Sequence, residues 1–281
     1  PQLGTAEVIA DSVDAAGNCD RLITIKARYW RPIHSEVMTH RTFSRSAGSS
    51  RARPSQKIID QVRDTPWGPL HWGMNQPGMQ AEQELDPIVQ QLAKEEWAMA
   101  ARSAALHAQS LTGLSAHKQI VNRILEPFTY IDVVITSTWP GWANFLTLRN
   151  HKAADPTIKQ LAEVIWEAVQ KSEPKKLHSD EWHLPFIVNN DWTRIAEYTK
   201  NLKHISLSLI LKISAARCAR TSYKAFDGTV APMEDDLDLF DKLVKSQPVH
   251  ASPTEHQATP DIKGSSWAWN EPWLHGNLPG W

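Results

Sequence analysis

The chain has 281 residues, of which 41% are hydrophobic and 22% are charged, and its formal net charge is −1. This is the composition of an ordinary globular protein, and the near-neutral charge excludes a global electrostatic field that would attract nucleic acid or an acidic membrane. Any anion site must therefore be local.

The first part of the chain is predicted to begin with a β-hairpin. Ala6–Ser12 and Leu22–Tyr29 are rich in β-branched residues and flank the turn sequence AAGN. The proline of RPIH suits the first turn of a short helix over Ser35–Arg41. Glycine and proline content predicts a loop over Pro66–Gln80.

The remainder is predicted to be mainly helical, because apolar residues recur at helical spacing in several segments. Thr129–Thr138 is β-branched and is predicted to be a strand, and Leu177–Trp192 is predicted to be mostly loop. The last helix is expected to place Leu237, Phe240 and Val244 on one apolar face. The predicted helices are Asp86–Leu111, one from near His117 to before Pro127, Trp142–Arg149, Thr157–Val169, Ile205–Ser222 and Glu234–Lys245.

One domain over residues 1–281, of mixed α/β (α+β) class, is the expected organisation. Cys19 and Cys218 lie far apart in sequence and do not suggest a disulfide framework. Free thiols fit the reducing cytoplasm, and the sequence contains neither a membrane-spanning apolar run nor a secretion signal. Thirteen tryptophans are many for this length, and those of the Pro- and Gly-rich tail suggest that it folds back on the body or on a neighbouring subunit.

Thr39–Arg51, with the sequence THRTFSRSAGSSR, has the composition of an anion-binding loop. Its arginines stay charged and bind phosphate oxygens bidentately, its serines add short donors, and Gly48 lets the backbone approach a ligand closely. A solvated basic loop has the same composition, so composition alone leaves both interpretations open.

The spacing within this loop resembles the signature of the flavin-dependent thymidylate synthases. That signature is Arg-His-Arg, seven residues and then Ser, and here His40 and Arg41 are followed after seven residues by Ser49. Two further blocks are similar to the same family. They are NRILEP, which begins at Asn122, and NFLTLR, which ends at Arg149.

A fourth block, HASPTEHQA (His250–Ala258), resembles the family's His-x-(Ser/Thr)-Pro-Phe-Glu-His element, which contacts the flavin. In better-known members that element precedes the arginine/serine motif, whereas here it follows by about two hundred residues. The order resembles a circular permutation, which proteins tolerate when their termini lie close together. A proline-containing helix start with capping residues also explains SPTE and is compatible with this role.

The resemblance implies a flavin-dependent thymidylate synthase-like fold, in which a sheet packs against long helices in an apparently permuted order. It also implies a homotetramer with sites between subunits, in which Arg149 is catalytic and contacts the pyrimidine ring. The implied substrate-binding residues are Arg41, Ser49, Ser50, Arg51, Arg123, Asn144 and Arg149. The implied flavin-binding residues are His40, Ser44, Thr138, His250, Ser252 and Glu255.

Three positions depart from the family pattern. Thr39 replaces the first arginine of the signature, and Pro140 stands where the family has the arginine of an Asn-x-Arg pair. A histidine expected after NFLTLR aligns with Ala153, although His151 is nearby. Because these losses lie on the flavin side, we expect the nucleotide site to be preserved and the flavin to be held differently.

The implied reaction is reductive C5-methylation of UMP or dUMP, with FAD as cofactor, methylenetetrahydrofolate as carbon donor and NADPH as reductant. The departures are similar to the divergent phage-type and antibiotic-biosynthesis branch, to which a UMP/dUMP C5-methylase such as that of polyoxin biosynthesis belongs. C5-hydroxymethylation is the alternative within the enzyme class. A single-stranded nucleic-acid-binding module with tryptophan stacking is the alternative from a different class, and the near-neutral charge counts against it.

Three other observations narrow the function classes or favour simpler interpretations. RCARTSY (Arg217–Tyr223) could contact an anion, but a solvated helix end is the expected structure. The twelve histidines show no HExxH or paired ligand spacing, so a catalytic metal is not expected. The sequence contains no Gly-x-Gly-x-x-Gly and no P-loop, which argues against a Rossmann or phosphoryl-transfer enzyme.

Overall fold

Five strands form a mixed sheet in the computed structural model, which describes residues 2–200, 203–223 and 231–281. The strands are β1 (Thr5–Asp14), β2 (Leu22–Trp30), β3 (Ser44–Ala47), β4 (Tyr130–Thr138) and β5 (Lys175–Leu177). Their order is β3-β4-β2-β1-β5, with β1 and β5 parallel and the other neighbours antiparallel. The predicted hairpin and the predicted strand of Thr129–Thr138 are confirmed, so the chain has the expected mixed α/β class.

Helices cover both faces of the sheet. They are α1 (His34–Val37), α2 (Ser55–Asp64), α3 (Pro87–Gly113), α4 (Lys118–Val121), α5 (Trp139–Arg149), α6 (Pro156–Gln170), α7 (Asn189–Tyr198), α8 (Lys203–Tyr223) and α9 (Met233–Lys245). The long predicted helix is confirmed as α3, which begins after Asp86, whose side chain accepts a hydrogen bond from the Ile88 N–H. Short 3₁₀ turns at Asn122–Phe128 and Ser252–Thr254 complete the elements that reach the site.

Three local predictions are corrected. The helix predicted over Ser35–Arg41 ends at Val37, because the chain turns there to enter β3, whose backbone pairs with β4. The loop predicted over Leu177–Trp192 ends early, since α7 begins within it and Asp191 accepts from the Val188 N–H. Val244 is exposed, because the buried face of α9 runs through Met233, Asp236 and Leu243 instead.

One face of the sheet is apolar and holds the main core. Strand β2 alternates, so that Ile23, Ile25, Ala27 and Tyr29 are fully buried on this face. Helices α5 and α6 cover them, and Trp142 is fully buried there, with its indole N–H donating to the Ile23 carbonyl at 3.1 Å. This packing fixes α5, which ends at the predicted catalytic arginine.

The opposite face is polar towards its centre. Helix α8 and the turn Ser252–Thr254 pack against β3, and α8 also contacts β4. The HASPTEHQA segment therefore meets the arginine/serine segment in space, although about two hundred residues separate them in sequence.

The tail, residues 260–281, folds back on the body of the same chain. Trp281 is buried with Leu22 and Leu177, and its indole N–H donates to the Asp20 carbonyl at 2.7 Å. Within the tail, Asp261 accepts from the Glu271 N–H at 2.9 Å and from His275 Nε2 at 2.8 Å. The tail is thus a docked, internally bonded segment.

Candidate active site

A chain of hydrogen bonds crosses the polar face of the sheet. Thr24 and Thr136, which are register partners on β2 and β4, share a hydrogen bond of 2.6 Å between their hydroxyls. His183 extends the chain to β1 by bonding Thr24 at 2.7 Å and Ser12 at 2.8 Å. His256 extends it to β3, with 2.8 Å to Thr136 and 3.1 Å to Ser46.

His183 and His256, the two histidines of this hydrogen-bond chain, are uncharged at neutral pH. Each ring is completely enclosed, and burial lowers the pKa of His183 and of His256 to about 3. A neutral imidazole has one donor and one acceptor nitrogen, which matches two hydroxyl partners. The two rings therefore fix the segments that carry Trp182 and Glu255 to the sheet without adding charge.

Arg149, at the end of α5, lies in a pocket formed by Glu36, Thr39 and His40. Its Nε donates to His40 Nε2 at 3.1 Å, its Nη1 to Glu36 Oε2 at 3.1 Å, and its Nη2 to Thr39 Oγ1 at 3.1 Å and the Glu36 carbonyl at 3.4 Å. The side chain is mostly buried. Thr39, the position that departs from the family pattern, thus accepts a hydrogen bond from Arg149 and donates one to the Glu36 carbonyl.

The same pocket holds His40 as a neutral ring. Burial, together with the nearby cations Arg149 and Arg45, lowers the pKa of His40 to about 4. Because Nε2 accepts from Arg149, the proton of the neutral ring is assigned to Nδ1. The ring stacks on Phe43 and meets Phe145 edge-on, which fixes its orientation.

A second cluster joins the arginine/serine loop to the NRILEP segment. Asn122 Nδ2 donates to the Ser50 carbonyl at 2.8 Å, and Ser50 Oγ donates to Glu126. Arg123 is exposed and pairs with Glu126 at 3.2 Å. The structure therefore brings Ser50 and Arg123 together at Glu126, while among the described residues no hydrogen bond joins this cluster to Arg149.

The remaining predicted substrate-binding residues are exposed or half-buried. Arg41 and Arg51 are exposed, and neither guanidinium is paired with another residue in the part of the chain that the structure describes. Asn144 is exposed on α5, and Ser49 is half-buried immediately before the turn that carries Ser50. These side chains are available to a ligand.

A cavity of about 440 Å³ brings together two of the predicted cofactor residues, Ser44 and Glu255. Lysine and arginine are absent from the described lining. The cavity combines indole and leucine side chains with several uncharged polar groups, and its volume is in the range of small-molecule sites. The rest of its lining is Trp182, Thr254, Gln257, Ala258, Thr259, residues 274–278 of the tail and Trp281.

The other predicted cofactor residues lie outside this lining. Thr138 is buried at the end of β4, where it precedes α5. His250 and Ser252 are exposed, and His250 donates its backbone N–H to the Leu243 carbonyl. His40 belongs to the Arg149 pocket.

The expected solvated helix end at Arg217–Tyr223 is wrong for Arg217, which is buried. It donates to both carboxylate oxygens of Asp191 at 2.7 and 2.8 Å and to Asp236 at 3.0 Å. Burial opposes ionisation of Asp191, yet the hydrogen bonds from Arg217 and from the Val188 N–H hold its pKa below the ordinary value. Arg217 therefore joins α7, α8 and α9.

Sequence reasoning missed the histidine chain, the tail wall of the cavity and the buried arginine. The sequence did contain part of the evidence for the histidine chain, because His256 lies within HASPTEHQA and threonines occupy the same face of β2 and β4. Among the described residues, no group of three His, Cys, Asp or Glu side chains could hold a metal ion, and no helix is long and apolar enough to cross a membrane.

The sequence of this chain matches one known protein family. The family model for thymidylate synthase complementing protein matches residues 23–175, which is more than half of the chain. No curated protein sequence matches significantly.

Solved structures provide a second comparison. The UMP/dUMP methylase PolB from Streptomyces cacaoi bound with 5-Br dUMP is similar at 16% identity, with a TM-score of 0.50, over 61% of this chain and 91% of that chain. The flavin dependent thymidylate synthase ThyX from Helicobacter pylori, complexed with FAD and dUMP, is 16% identical with a TM-score of 0.37. The match covers 53% of this chain and 67% of that chain. The likeness to PolB shows the fold.

Proposed function

Because the chain belongs to the thymidylate synthase complementing protein family of flavin-dependent enzymes, we propose that it transfers a one-carbon unit reductively to C5 of UMP or dUMP. One observation carries the proposal: the motif segments converge in space. Arg149 bonds His40, which is 109 residues earlier, and Asn122 bonds Ser50, which is 72 residues earlier. Segments that resemble family motifs only in sequence would have no reason to meet in this way.

The cation positions support binding of a nucleotide. Arg41, Arg51 and Arg123 present exposed guanidinium groups that suit a phosphate. Arg149 is held rigidly, and four of its five N–H groups are used by protein atoms, which leaves one Nη1 donor for a ligand. A fixed cation at a uracil carbonyl would stabilise the negative charge that develops as C5 becomes nucleophilic.

The cavity residues fit a flavin. An isoalloxazine ring is flat and uncharged, and the cavity offers indole and aliphatic walls with Ser44 and Glu255 among its polar groups. FAD would supply hydride transfer there, with NADPH as its reductant and methylenetetrahydrofolate as the carbon donor. In this assignment Ser44 and Glu255 orient the ring, while His250, Ser252, Thr138 and His40 contact other parts of the cofactor.

Exposed apolar surface supports the proposed homotetramer with sites between subunits. Leu92, Met99 and Leu106 recur every seven residues along α3, and each is at least half exposed. Such a stripe is typical of a helix that packs against another chain. The clusters of Arg149 and Ser50, which no hydrogen bond joins among the described residues, would then meet across an interface.

The two free cysteines fit a reducing compartment such as the cytoplasm. The divergent positions at Thr39 and Pro140 are consistent with the antibiotic-biosynthesis branch. The product is proposed to be the C5-methylated nucleotide, with C5-hydroxymethylation as the alternative outcome of the same one-carbon transfer.

The absorption spectrum of the purified protein tests the cofactor assignment. We expect a flavin band at about 450 nm, either as purified or after reconstitution with FAD. A matched sample carrying Glu255→Ala, which removes an exposed carboxylate from the cavity lining, should bind the flavin more weakly while keeping its circular dichroism. A protein that stays colourless after reconstitution, and binds single-stranded nucleic acid with strong salt dependence, would instead support the nucleic-acid-binding module.

A further inference from the structure

The tail of this chain forms part of the wall of the 440 Å³ cavity that Glu255 also lines. This wall includes Leu274, Asn277 and Leu278, which lie far outside the residues 23–175 that match the family model. The family match therefore does not account for it.

The wall is built into the fold. The Asp261 carboxylate accepts hydrogen bonds from the Glu271 N–H and from His275 Nε2, and the Gly280 N–H donates to His275 Nδ1 at 3.0 Å. The Cys19 thiol donates to the Gly280 carbonyl at 2.8 Å, so the tail is also bonded to the β1–β2 turn. Buried Trp281 and Leu278 anchor it to the body.

The lining specifies the chemistry of the occupant. Arginine and lysine are absent from the described lining, so a phosphate has no ionic partner there. Indole and leucine side chains provide apolar contact, whereas the Glu255 carboxylate accepts from an N–H group and the Asn277 amide offers both a donor and an acceptor. Further polar side chains come from Thr254, Gln257, Thr259 and His275. A planar, uncharged, fused heteroaromatic ring with an N–H and other polar atoms along one edge satisfies all of these features.

We propose that the tail segment Leu274–Leu278 is part of the binding site for such a ring, with Leu274 covering its face and Glu255 accepting from its N–H edge. Flavins and reduced pterins share this chemistry. The inference rests on the proposed function, because the flavin and the folate are both ligands of the proposed reaction. It adds a specificity-determining wall that lies outside the residues matched by the family model.

Leu274→Asp tests the proposal, with Trp273→Asp as its matched control. Both side chains are exposed, at 66% and 73%, and they are adjacent on one 3₁₀ turn, but only Leu274 lines the cavity. Exposure means that neither substitution should alter the melting temperature. Binding is measured by flavin fluorescence with FAD and by calorimetry with 5-formyltetrahydrofolate.

We expect Leu274→Asp to raise the Kd of one of these two ligands by about tenfold or more, since it places a charge in the apolar wall, while Trp273→Asp changes it less than twofold. Loss of FAD binding identifies the flavin as the occupant, and loss of folate binding identifies the pterin. If wild type and both variants bind both ligands equally, the tail has no role and the proposal is overturned. If the wild type binds neither ligand, the proposed function fails together with the inference.

Discussion

Arg149→Ala is expected to lower kcat/KM for the uracil nucleotide by about 10²- to 10³-fold, the effect of removing one fixed donor from a developing anion. Arg149→Lys should recover little, because a single ammonium cannot bond His40, Thr39 and Glu36 in the fork geometry of the guanidinium. Arg102→Ala, an exposed arginine on α3, serves as the control and should retain activity. Near-normal turnover by Arg149→Ala would show that the ring-binding role is wrong.

His40 provides a readout of the same variant that does not depend on activity. Burial is the main reason that its pKa is about 4, and the charge of Arg149 is the second. Removing a nearby cation favours the protonated ring, so the His40 pKa should rise towards the ordinary value of 6.5 in Arg149→Ala. An NMR titration of the imidazole resonances that gives the same pKa in both proteins would contradict the contact.

Arg217→Ala is expected to lower the free energy of unfolding by about 3–5 kcal/mol, because it removes a buried guanidinium from two buried carboxylates. Asp191 loses both of its bonds to the guanidinium and keeps the one from the Val188 N–H, while Asp236 keeps its bond to Arg220. The measurement is urea denaturation, with the midpoint and slope compared between variants. The control is Arg63→Ala, whose exposed pairs with Asp60 and Asp64 should contribute nothing measurable.

The loss of unfolding free energy caused by Arg217→Ala should also depend on pH. In the wild type the Asp191 pKa is held below its ordinary value of 3.8, so this carboxylate stabilises the fold above that pH and loses its contribution as the pH falls. The difference between wild type and variant should therefore shrink below about pH 4. A difference that stays constant, or one no larger than that of Arg63→Ala, would contradict the account of a buried ion pair joining α7, α8 and α9.

Periodicity predicted the elements whose side chains alternate or repeat over many residues. The β1–β2 hairpin and α3 are examples, since β-branched residues run through the strands and apolar residues recur at helical spacing in α3. In α3 the buried residues are nevertheless three alanines, Ala101, Ala105 and Ala108, while larger apolar residues such as Leu92 are exposed. Strand β3 was missed because SRSA is short and polar, and its conformation depends on pairing with β4. The end of the short helix near Val37 was misplaced for the same reason.

The site was predictable only in part. Family resemblance identified the segments that meet at His40, Ser50 and Arg149, whereas geometry was needed to show which of them join. The partners of Arg217 lie 19 and 26 residues away on other helices, and no local pattern links them. The neutral chain through His183 and His256 likewise requires four strands to be in register before its hydroxyls can meet.

Tritium release from C5-labelled UMP and dUMP tests the central claim most directly. The protein is incubated with each nucleotide, FAD, NADPH and methylenetetrahydrofolate, and mass spectrometry identifies the product. We predict release to water with at least one nucleotide, dependent on both FAD and the folate, together with a methylated base. Flavin-loaded protein that releases no tritium from either nucleotide would contradict the account.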